Sequence, residues 1–285
     1  MRTAREIAQL AQMTCVLEAC APKPGNVNRI HDFSDTSLDD FLLSAVAIGP
    51  AFECAAELTV GQLILQATKD TRKLVRSNTN LGMILLLAPL VKACVKRGAR
   101  DLRRRVNSVL NSLTVQDARL AYAAIRIARP GGLGRVAEAD IAEKPSITLL
   151  EAMALARERD SVAREYVTGF SITFEIGAPA LKEAQSRGAD LSSAVVQAFL
   201  TILSRVPDTL IARKKGLNTA RQVSDKAGEV LNKGGVFASE GRMALADFDC
   251  ALRDPNHTLN PGTTADLTAA AIFLVLQEEK RGQAT

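Results

Sequence analysis

The sequence predicts an all-α protein that folds as one compact multi-helix domain over residues 1–285. Apolar residues recur at helical spacing, and no segment alternates convincingly between polar and apolar side chains. No fixed-period repeat and no flexible linker divides the chain. The chain is 47% hydrophobic and 24% charged, which is typical of a globular domain and excludes a disordered one.

The first two helices are predicted from their start and stop signals. The first has apolar-face positions at i, i+3, i+7 and i+10, namely Ile7, Leu10, Thr14 and Leu17. It ends at the proline- and glycine-containing stretch 22–25, which cannot continue a helix. The second begins at Thr36 or Ser37, because each has a carboxylate three residues later and can form a capping box. Pro50 is expected to kink or split this second helix.

Further helices are predicted at 81–97, 102–113, 115–128, 147–158, 161–175, 191–204, 217–232, 241–252 and 264–279. Thr114 with Asp117 is typical of a capping box, and Asp190 of an N-cap. The last helix is apolar nearly all round, so we expect it to be buried in the centre of the fold.

The cysteine pattern and the lengths of the apolar runs indicate where in the cell the protein is expected. The five cysteines are odd in number and show no Cys-x-x-Cys spacing, so we expect buried, reduced thiols and neither a disulfide framework nor a zinc site. The first segment is too charged for a secretory signal. The longest apolar runs are about half of the roughly 20 residues that a membrane span needs. These features predict a soluble, cytoplasmic protein that makes no membrane contact.

Low aromatic content and mild basicity limit the possible partners. Aromatic residues make up 4% of the chain and the formal net charge is +5. Few rings are available for base stacking, which argues against single-stranded nucleic-acid binding. The composition is silent on oligomeric state, and a homodimer is possible.

Residues 22–35 form the first of four segments that are dense in functional groups at the ends of helices. Lys23 and Arg29 suit phosphate oxygens, and His31 is one of only two histidines. Asp32 and Asp35 are three residues apart and are suited to share a hard cation. The alternative is a turn ordered by its prolines, with the aspartates as helix caps.

Residues 77–82 precede an apolar helix, whose first N–H groups and positive dipole end suit an anion. Ordinary N-capping by Ser77 or Asn78 explains the same pattern equally well.

Residues 207–216 carry three successive basic side chains before a glycine, which are suited to close over phosphates. A solvated charged stretch is the commoner meaning of such a cluster. Asp208 follows a proline. An aspartate at such a position is more often a helix cap than a catalytic residue.

Residues 257–266 begin the buried last helix. Thr263 and Asp266 have the spacing of a capping pair, but the same hydroxyl and N–H groups suit phosphate, and Asp266 suits Mg²⁺. Taken together, the four segments indicate a helical enzyme for a polyphosphate–metal ligand. They do not specify the reaction.

The same four segments resemble those of the triphosphoribosyl-dephospho-coenzyme A synthase family. The shared motifs occur in order along nearly the whole chain: Lys-Pro-Gly-Asn-Val from Lys23, Asn-Thr-Asn-Leu-Gly from Asn78, Asp-Thr with Arg-Lys and Gly at 208–216, and Asn-Pro-Gly-Thr-Thr-Ala-Asp-Leu from Asn260. The resemblance implies an all-helical transferase. It would move the triphosphoribosyl group of ATP onto the 2′-hydroxyl of 3′-dephospho-coenzyme A, release adenine and use Mg²⁺.

The resemblance also implies roles for matching positions. Substrate contacts are assigned to Lys23, Asn26, Arg29, Asn78, Asn80, Arg213, Lys214, Asn260, Gly262 and Thr263, with Lys215 as a weaker candidate. The metal ligands are expected to be Asp32, Asp35 and Asp266. The catalytic candidates are Asp208, Asp32 and His31.

Two alternatives stay open at this point. The His31–Asp35 extension and the stretch 159–166 resemble a branch of the family associated with one-carbon cofactor biosynthesis, which would imply a different acceptor for the ATP-derived group. The other alternative is a non-catalytic helical protein that binds nucleic acid through its positive charge.

Overall fold

A computed structural model describes residues 2–96, 101–131 and 141–278. Within these ranges every regular element is helical, which confirms the predicted all-α class. The helices are α1 (Ala4–Cys20), α2 (Leu38–Ala47), α3 (Gly49–Glu53), α4 (Val60–Leu74), α5 (Leu81–Val95), α6 (Leu102–Leu110), α7 (Val115–Ala128), α8 (Leu149–Ala156), α9 (Ser161–Thr168), α10 (Ala178–Ser186), α11 (Leu191–Arg205), α12 (Thr209–Lys215), α13 (Leu217–Asn232), α14 (Ser239–Leu252) and α15 (Gly262–Glu278), with a π-helical segment at Thr173–Gly177.

Helix α15 lies at the centre of the fold, as its all-round apolar sequence predicts. It packs against α1, α5, α11 and the π-helical segment, and residues 267–276 are all buried. Because its buried residues include several alanines, the neighbouring helices can approach it closely. Few aromatic side chains are needed to fill the space between them. The same packing fixes the first turn of α15, which lies beside the first turn of α5.

The predicted start signals of α2, α7 and α11 agree with the structure. Asp117 and Thr114 form the capping box of α7, and Asp190 accepts a hydrogen bond from the N–H of Ser193 at 2.9 Å. The second helix begins after Ser37, whose N–H donates to Asp40 at 3.0 Å. Pro50 ends that helix and lies in the first turn of α3, as expected for a proline.

The single helix predicted at 161–175 is wrong. The chain turns at Gly169 and Phe170, whose φ angles are +62° and +61°, and regains a helical path as the π segment. The buried carboxylate of Glu165 accepts hydrogen bonds from the N–H groups of Ile172 and Thr173 at 2.8 and 2.9 Å. It thereby supplies acceptors that a continuous helix would have provided from its backbone.

Three further helices, α4, α10 and α12, are absent from the prediction. Helix α4 carries a clear capping box between Thr59 and Gln62, but charged residues dominate its last turns. Helix α10 begins with Pro179 in its first turn. The basic cluster at 213–215, expected in a loop, forms the last turn of α12.

The cysteines agree with the prediction only in part. All five are free thiols, but only Cys15 and Cys94 are buried, whereas Cys54 and Cys250 are exposed. Among the described helices none is by itself long and apolar enough to cross a membrane, although the bent pair of Leu191–Arg205 and Thr209–Lys215 passes on length and composition.

Candidate active site

One cavity of about 600 Å³ collects residues from all four of the sequence segments. It lies between the loop that follows α1, the first turns of α5 and α15, the C-terminal end of α7, and α12. A volume of this size is typical of sites for small-molecule ligands. The helix N-termini that face the cavity bring unpaired N–H groups and positive dipole ends to its wall.

Two carboxylates line the cavity, Asp266 on α15 and Glu18 on α1. Burial together with the like charge of Glu18 raises the pKa of the Asp266 carboxyl group well above the ordinary value. Among the described residues no hydrogen-bond donor reaches Asp266. A Cβ atom added at Gly82 would overlap Oδ2 of Asp266, so the glycine permits this close approach between α5 and α15.

Glu18 is held by a buried lysine. Its Oε1 lies 2.9 Å from Nζ of Lys23, and both side chains are almost fully buried. Burial raises the pKa of Glu18, and Lys23 opposes this effect. Lys23 also donates to the carbonyl oxygens of Glu18 and Ala21 at the end of α1, so it is fully engaged within the protein.

Asp208 ties α12 to the start of α15. Its Oδ1 accepts from the N–H groups of Leu210 and Ile211 at 2.8 and 3.0 Å, and its Oδ2 accepts from the N–H and hydroxyl of Thr264 at 2.7 and 2.8 Å. Burial raises the pKa of this carboxyl, and the hydrogen bonds oppose the rise. With both oxygens occupied, Asp208 is suited to position the two helices.

Helix α12 presents two basic side chains to the cavity. Arg213 forms an ion pair with Asp160, the N-cap of α9, at 3.3 Å. Lys214 donates to the carbonyl oxygen of His257 at 2.9 Å. These contacts leave both cations beside the cavity together with the carboxylate of Asp160, so this wall carries charges of both signs.

The polar residues before α5 are ordered by local hydrogen bonds. Asn80 Nδ2 donates to the carbonyl oxygen of Ser44 and to the hydroxyl of Thr71, both at 3.3 Å. Asn78 accepts from the N–H of Leu81 at 3.3 Å. The N-cap position of α5 is Asn80, not the predicted Ser77 or Asn78, and the Asn80 side chain makes no capping hydrogen bond. Asn78 and Asn80 both line the cavity.

A third wall of the cavity carries arginines that the sequence pattern did not indicate. They are Arg72 in the last turn of α4, Arg76 in the loop that follows, and Arg129 at the C-cap of α7. The first of these donates to the carbonyl oxygen of Ser77 at 3.5 Å. In the described ranges none of the three forms a salt bridge.

The rim of the cavity is formed by the two loops that contain the histidines. The rings of Phe33 and His257 stack at a centroid distance of 3.8 Å with 13° between their planes. Asp35 lies on the same rim. Asn260 adds a buried Oδ1 atom to the wall that accepts no hydrogen bond from the described residues.

The structure brings most of the predicted site residues together at this cavity. Its lining includes Asn26, Asp35, Asn78, Asn80, Arg213, Lys214, Asn260, Gly262, Thr263 and Asp266. Thr263 does not cap α15, because the helix already begins at Gly262. It accepts instead from the hydroxyl of Thr209 at 3.2 Å.

Six predicted site residues lie outside the cavity lining: Lys23, Arg29, His31, Asp32, Asp208 and Lys215. Arg29 is exposed and donates to the carbonyl oxygen of Cys20, and Asp32 accepts from the N–H of Leu38 at the start of α2. His31 is half exposed, 3.7 Å from Asp249. Lys23, Arg29, Asp32 and Asp208 are hydrogen-bonded to the ends of loops and helices. The expected roles of the six residues in contacting the substrate, binding the metal or acting as catalyst stay predictions.

The fold is all-helical, and the cavity gathers cations and helix N-termini that suit a phosphorylated ligand. The chain belongs to the ATP:dephospho-CoA triphosphoribosyl transferase family, whose sequence model matches residues 4–285.

Individual relatives agree with this assignment. A protein of Azotobacter vinelandii named probable 2-(5″-triphosphoribosyl)-3′-dephosphocoenzyme-A synthase is 28% identical, over 95% of this chain and 91% of its own. The Klebsiella pneumoniae protein named as that synthase is 28% identical, over 94% and 93% of the two chains. The crystal structure of a proposed triphosphoribosyl-dephospho-CoA synthase from Archaeoglobus fulgidus superposes with a TM-score of 0.64 at 33% identity, covering 83% of this chain and 98% of that one.

Proposed function

We propose that this protein transfers the triphosphoribosyl group of ATP to the 2′-hydroxyl of 3′-dephospho-CoA and releases adenine. The observation that carries the proposal is that one cavity combines basic side chains and helix N-termini with the enclosed carboxylates of Glu18 and Asp266. Cations suit the phosphates of both substrates, and carboxylates suit proton transfer and metal binding. The names of the matched family and relatives favour dephospho-CoA over a different acceptor.

The proposed reaction is a substitution at the anomeric carbon of the ATP ribose. A bond forms between the acceptor oxygen and C1′, and the bond between C1′ and N9 of adenine breaks, while the triphosphate stays intact. The hydroxyl gives up one proton and the departing adenine takes up one, so the protons balance. The attacking oxygen and the leaving base must be held in line, which is the main task of a preformed cavity.

Glu18 is the carboxylate we assign to accept the hydroxyl proton. It lines the cavity, and its ion pair with Lys23 at 2.9 Å fixes the direction of its side chain. Burial raises the pKa of Glu18, and the ion pair with Lys23 opposes that rise by favouring the anionic form, which is the form that accepts a proton. Lys23 thus acts through Glu18 and does not need to touch the substrate phosphates.

The triphosphate is assigned to the wall formed by α12 and the start of α15. Arg213 and Lys214 supply charge there, and the first turn of α15 supplies the N–H of Thr263. The N–H of Gly262 already donates to the carbonyl oxygen of Asn260 at 2.9 Å. Charge-assisted hydrogen bonds of this kind are about twice as strong as neutral ones. Asp208 holds the two helices in register, so it is a positioning residue.

The residues of the cavity fit a magnesium ion at Asp266. Its carboxylate meets no hydrogen-bond donor among the described residues and faces the like charge of Glu18, so a cation there would relieve an unbalanced negative charge. Mg²⁺ is commonly held by one or two carboxylates together with substrate phosphates. When bound, the ion would neutralise charge on the triphosphate. Asp35 lines the same cavity at its rim, whereas Asp32 is engaged in capping α2.

The test is to incubate the full chain with ATP, Mg²⁺ and 3′-dephospho-CoA and to separate the products by chromatography. We expect free adenine in proportion to consumed dephospho-CoA. Release of ADP or AMP would contradict the proposal, because it would indicate phosphoryl or nucleotidyl transfer. Glu18→Gln should lose adenine release, and Glu229→Gln on α13, away from the cavity lining, is the matched control.

A further inference from the structure

We propose that Arg72, Arg76 and Arg129 form a second, metal-independent phosphate subsite that binds the diphosphate of the acceptor. The inference rests on the proposed function, which requires two substrates that each carry a polyphosphate group. It assigns them to different walls of one cavity: the triphosphate to α12 and α15, and the acceptor's diphosphate to the arginines at the ends of α4 and α7.

The three arginines come from separate elements that end at the same place. Helix α4 ends at Leu74 and helix α7 at Ala128, and both ends face the cavity with their arginines. Ser77 and Asn78, which precede α5, line the cavity beside them. Guanidinium groups bind phosphate through paired hydrogen bonds, and these hydroxyl and amide groups add neutral partners.

The charge on this wall is not balanced within the described part of the protein. No described carboxylate lies within salt-bridge distance of Arg72, Arg76 or Arg129, whereas Arg213 on α12 is paired with Asp160. Arg76 and Arg129 are exposed and Arg72 is half-buried. Their guanidinium groups are therefore open to an anion that enters the cavity.

The difference between the walls indicates which substrate each one takes. Asp266 and Asp160 lie on the side of α12 and α15, where carboxylates are suited to a metal-bound triphosphate. Arg72, Arg76 and Arg129 have no carboxylate within salt-bridge distance among the described residues, so they suit a phosphate group that arrives without a metal ion. The diphosphate of dephospho-CoA carries about two negative charges, which three arginines match.

The experiment measures substrate binding separately from catalysis. Calorimetric titration of the full chain with 3′-dephospho-CoA, in buffer containing EDTA, gives the metal-free affinity. Arg76→Ala and Arg129→Ala should each weaken this affinity about tenfold or more, since a charge-assisted hydrogen bond contributes on that scale. Arg119→Ala, which removes an exposed arginine on α7 outside the cavity lining, should leave the affinity unchanged. Inorganic pyrophosphate, as a second probe, should compete with dephospho-CoA in the wild type.

Steady-state kinetics of adenine release distinguish the two polyphosphate sources. We expect KM for dephospho-CoA to rise in the Arg76 and Arg129 variants, while KM for ATP with Mg²⁺ changes less than about twofold. Unchanged dephospho-CoA affinity, or a loss that falls on ATP instead, would overturn the assignment. If the wild type binds dephospho-CoA through these arginines but releases no adenine, the subsite stands and the proposed reaction fails.

Discussion

Asp266 is the residue whose chemistry and surroundings differ most from those of an ordinary surface aspartate. Its carboxylate lines the cavity, and burial together with the like charge of Glu18 raises its pKa. We predict that Asp266→Asn lowers kcat for adenine release by about 10²-fold or more, because the amide neither binds a cation well nor carries a proton. Asp247→Asn, at an exposed position of α14, is the control and should keep full activity.

The Asp266→Asn variant should lose activity without losing stability. Asparagine removes an enclosed charge that has no donor among the described residues, so the free energy of unfolding of Asp266→Asn should equal or exceed that of the wild type. Urea unfolding measures it. A large loss of stability together with the loss of activity would contradict the assignment, since it would make Asp266 a structural residue.

Glu165 predicts a pH dependence of stability that is unrelated to the cavity. Burial raises its pKa from 4.5 to about 7. The unfolded chain therefore releases this proton at lower pH than the folded protein, so the stabilising contribution is complete below about pH 4.5 and is lost as the pH rises through 7. The loss amounts to about 3 kcal/mol at most.

Comparison of urea unfolding at pH 5 and pH 8 measures this effect. The Glu165→Gln variant should show a smaller decrease in the free energy of unfolding between the two pH values than the wild type. An equal decrease in both proteins would show that other groups cause the pH dependence.

At the level of elements, the site depends on the close contact between the first turns of α5 and α15. A Cβ atom at Gly82 would overlap the carboxylate of Asp266. We predict that Gly82→Ala lowers the rate of adenine release, because Asp266 must move, while the helical circular dichroism spectrum is retained. Gly228→Ala, on α13, is the control: its Cβ would lie 4.0 Å from the nearest atom, Cβ of Ser204. It should stabilise the protein by up to about 1 kcal/mol and keep activity.

The pairing of α12 with α15 through Asp208 gives another prediction. Asp208→Asn places an amide N–H group against the N–H of Thr264, so the free energy of unfolding should fall by about 1–3 kcal/mol. KM for ATP should rise because Arg213 and Lys214 shift with α12, while kcat changes little. Asp190→Asn at the exposed N-cap of α11 is the control and should change stability by a few tenths of a kcal/mol. A loss of kcat with unchanged KM would make Asp208 a catalytic residue.

Most helices could be predicted from the sequence because their caps and apolar periodicity are local signals. Helices α7, α11 and α13 begin within one or two residues of the predicted positions. The break at Gly169 could not be predicted in this way. It depends on Glu165, a buried carboxylate that replaces backbone acceptors and whose partners are set by tertiary packing.

The sequence indicated the four segments whose residues line the cavity, but it could not show which way each side chain points. Lys23 and Asp208 stand in functional motifs, yet both face inward and order the helix ends around the cavity. Arg129 carried no local signal, because only the fold brings the end of α7 to the ends of α4 and α12. Glu18 could not be identified from the sequence either, because it lies within the amphipathic helix α1 and outside all four segments.

At the scale of the whole molecule, the packing of the helices brings different chemical groups to different sides of one cavity. The central helix α15 presents Asp266 and its N-terminal groups, α1 presents Glu18, and the surrounding helices present the cations. The net charge of +5 is thus partly concentrated where two anionic substrates would meet. This arrangement is the structural basis of the proposed transfer between them.

The proposed transfer is tested most directly by the mass and the phosphorus NMR spectrum of the product formed from ATP, Mg²⁺ and 3′-dephospho-CoA. We expect one product whose mass equals that of both substrates minus adenine, with the triphosphate resonances of ATP retained and one adenine released per product. A product that lacks any phosphate of the ATP triphosphate, or that retains adenine, would contradict it.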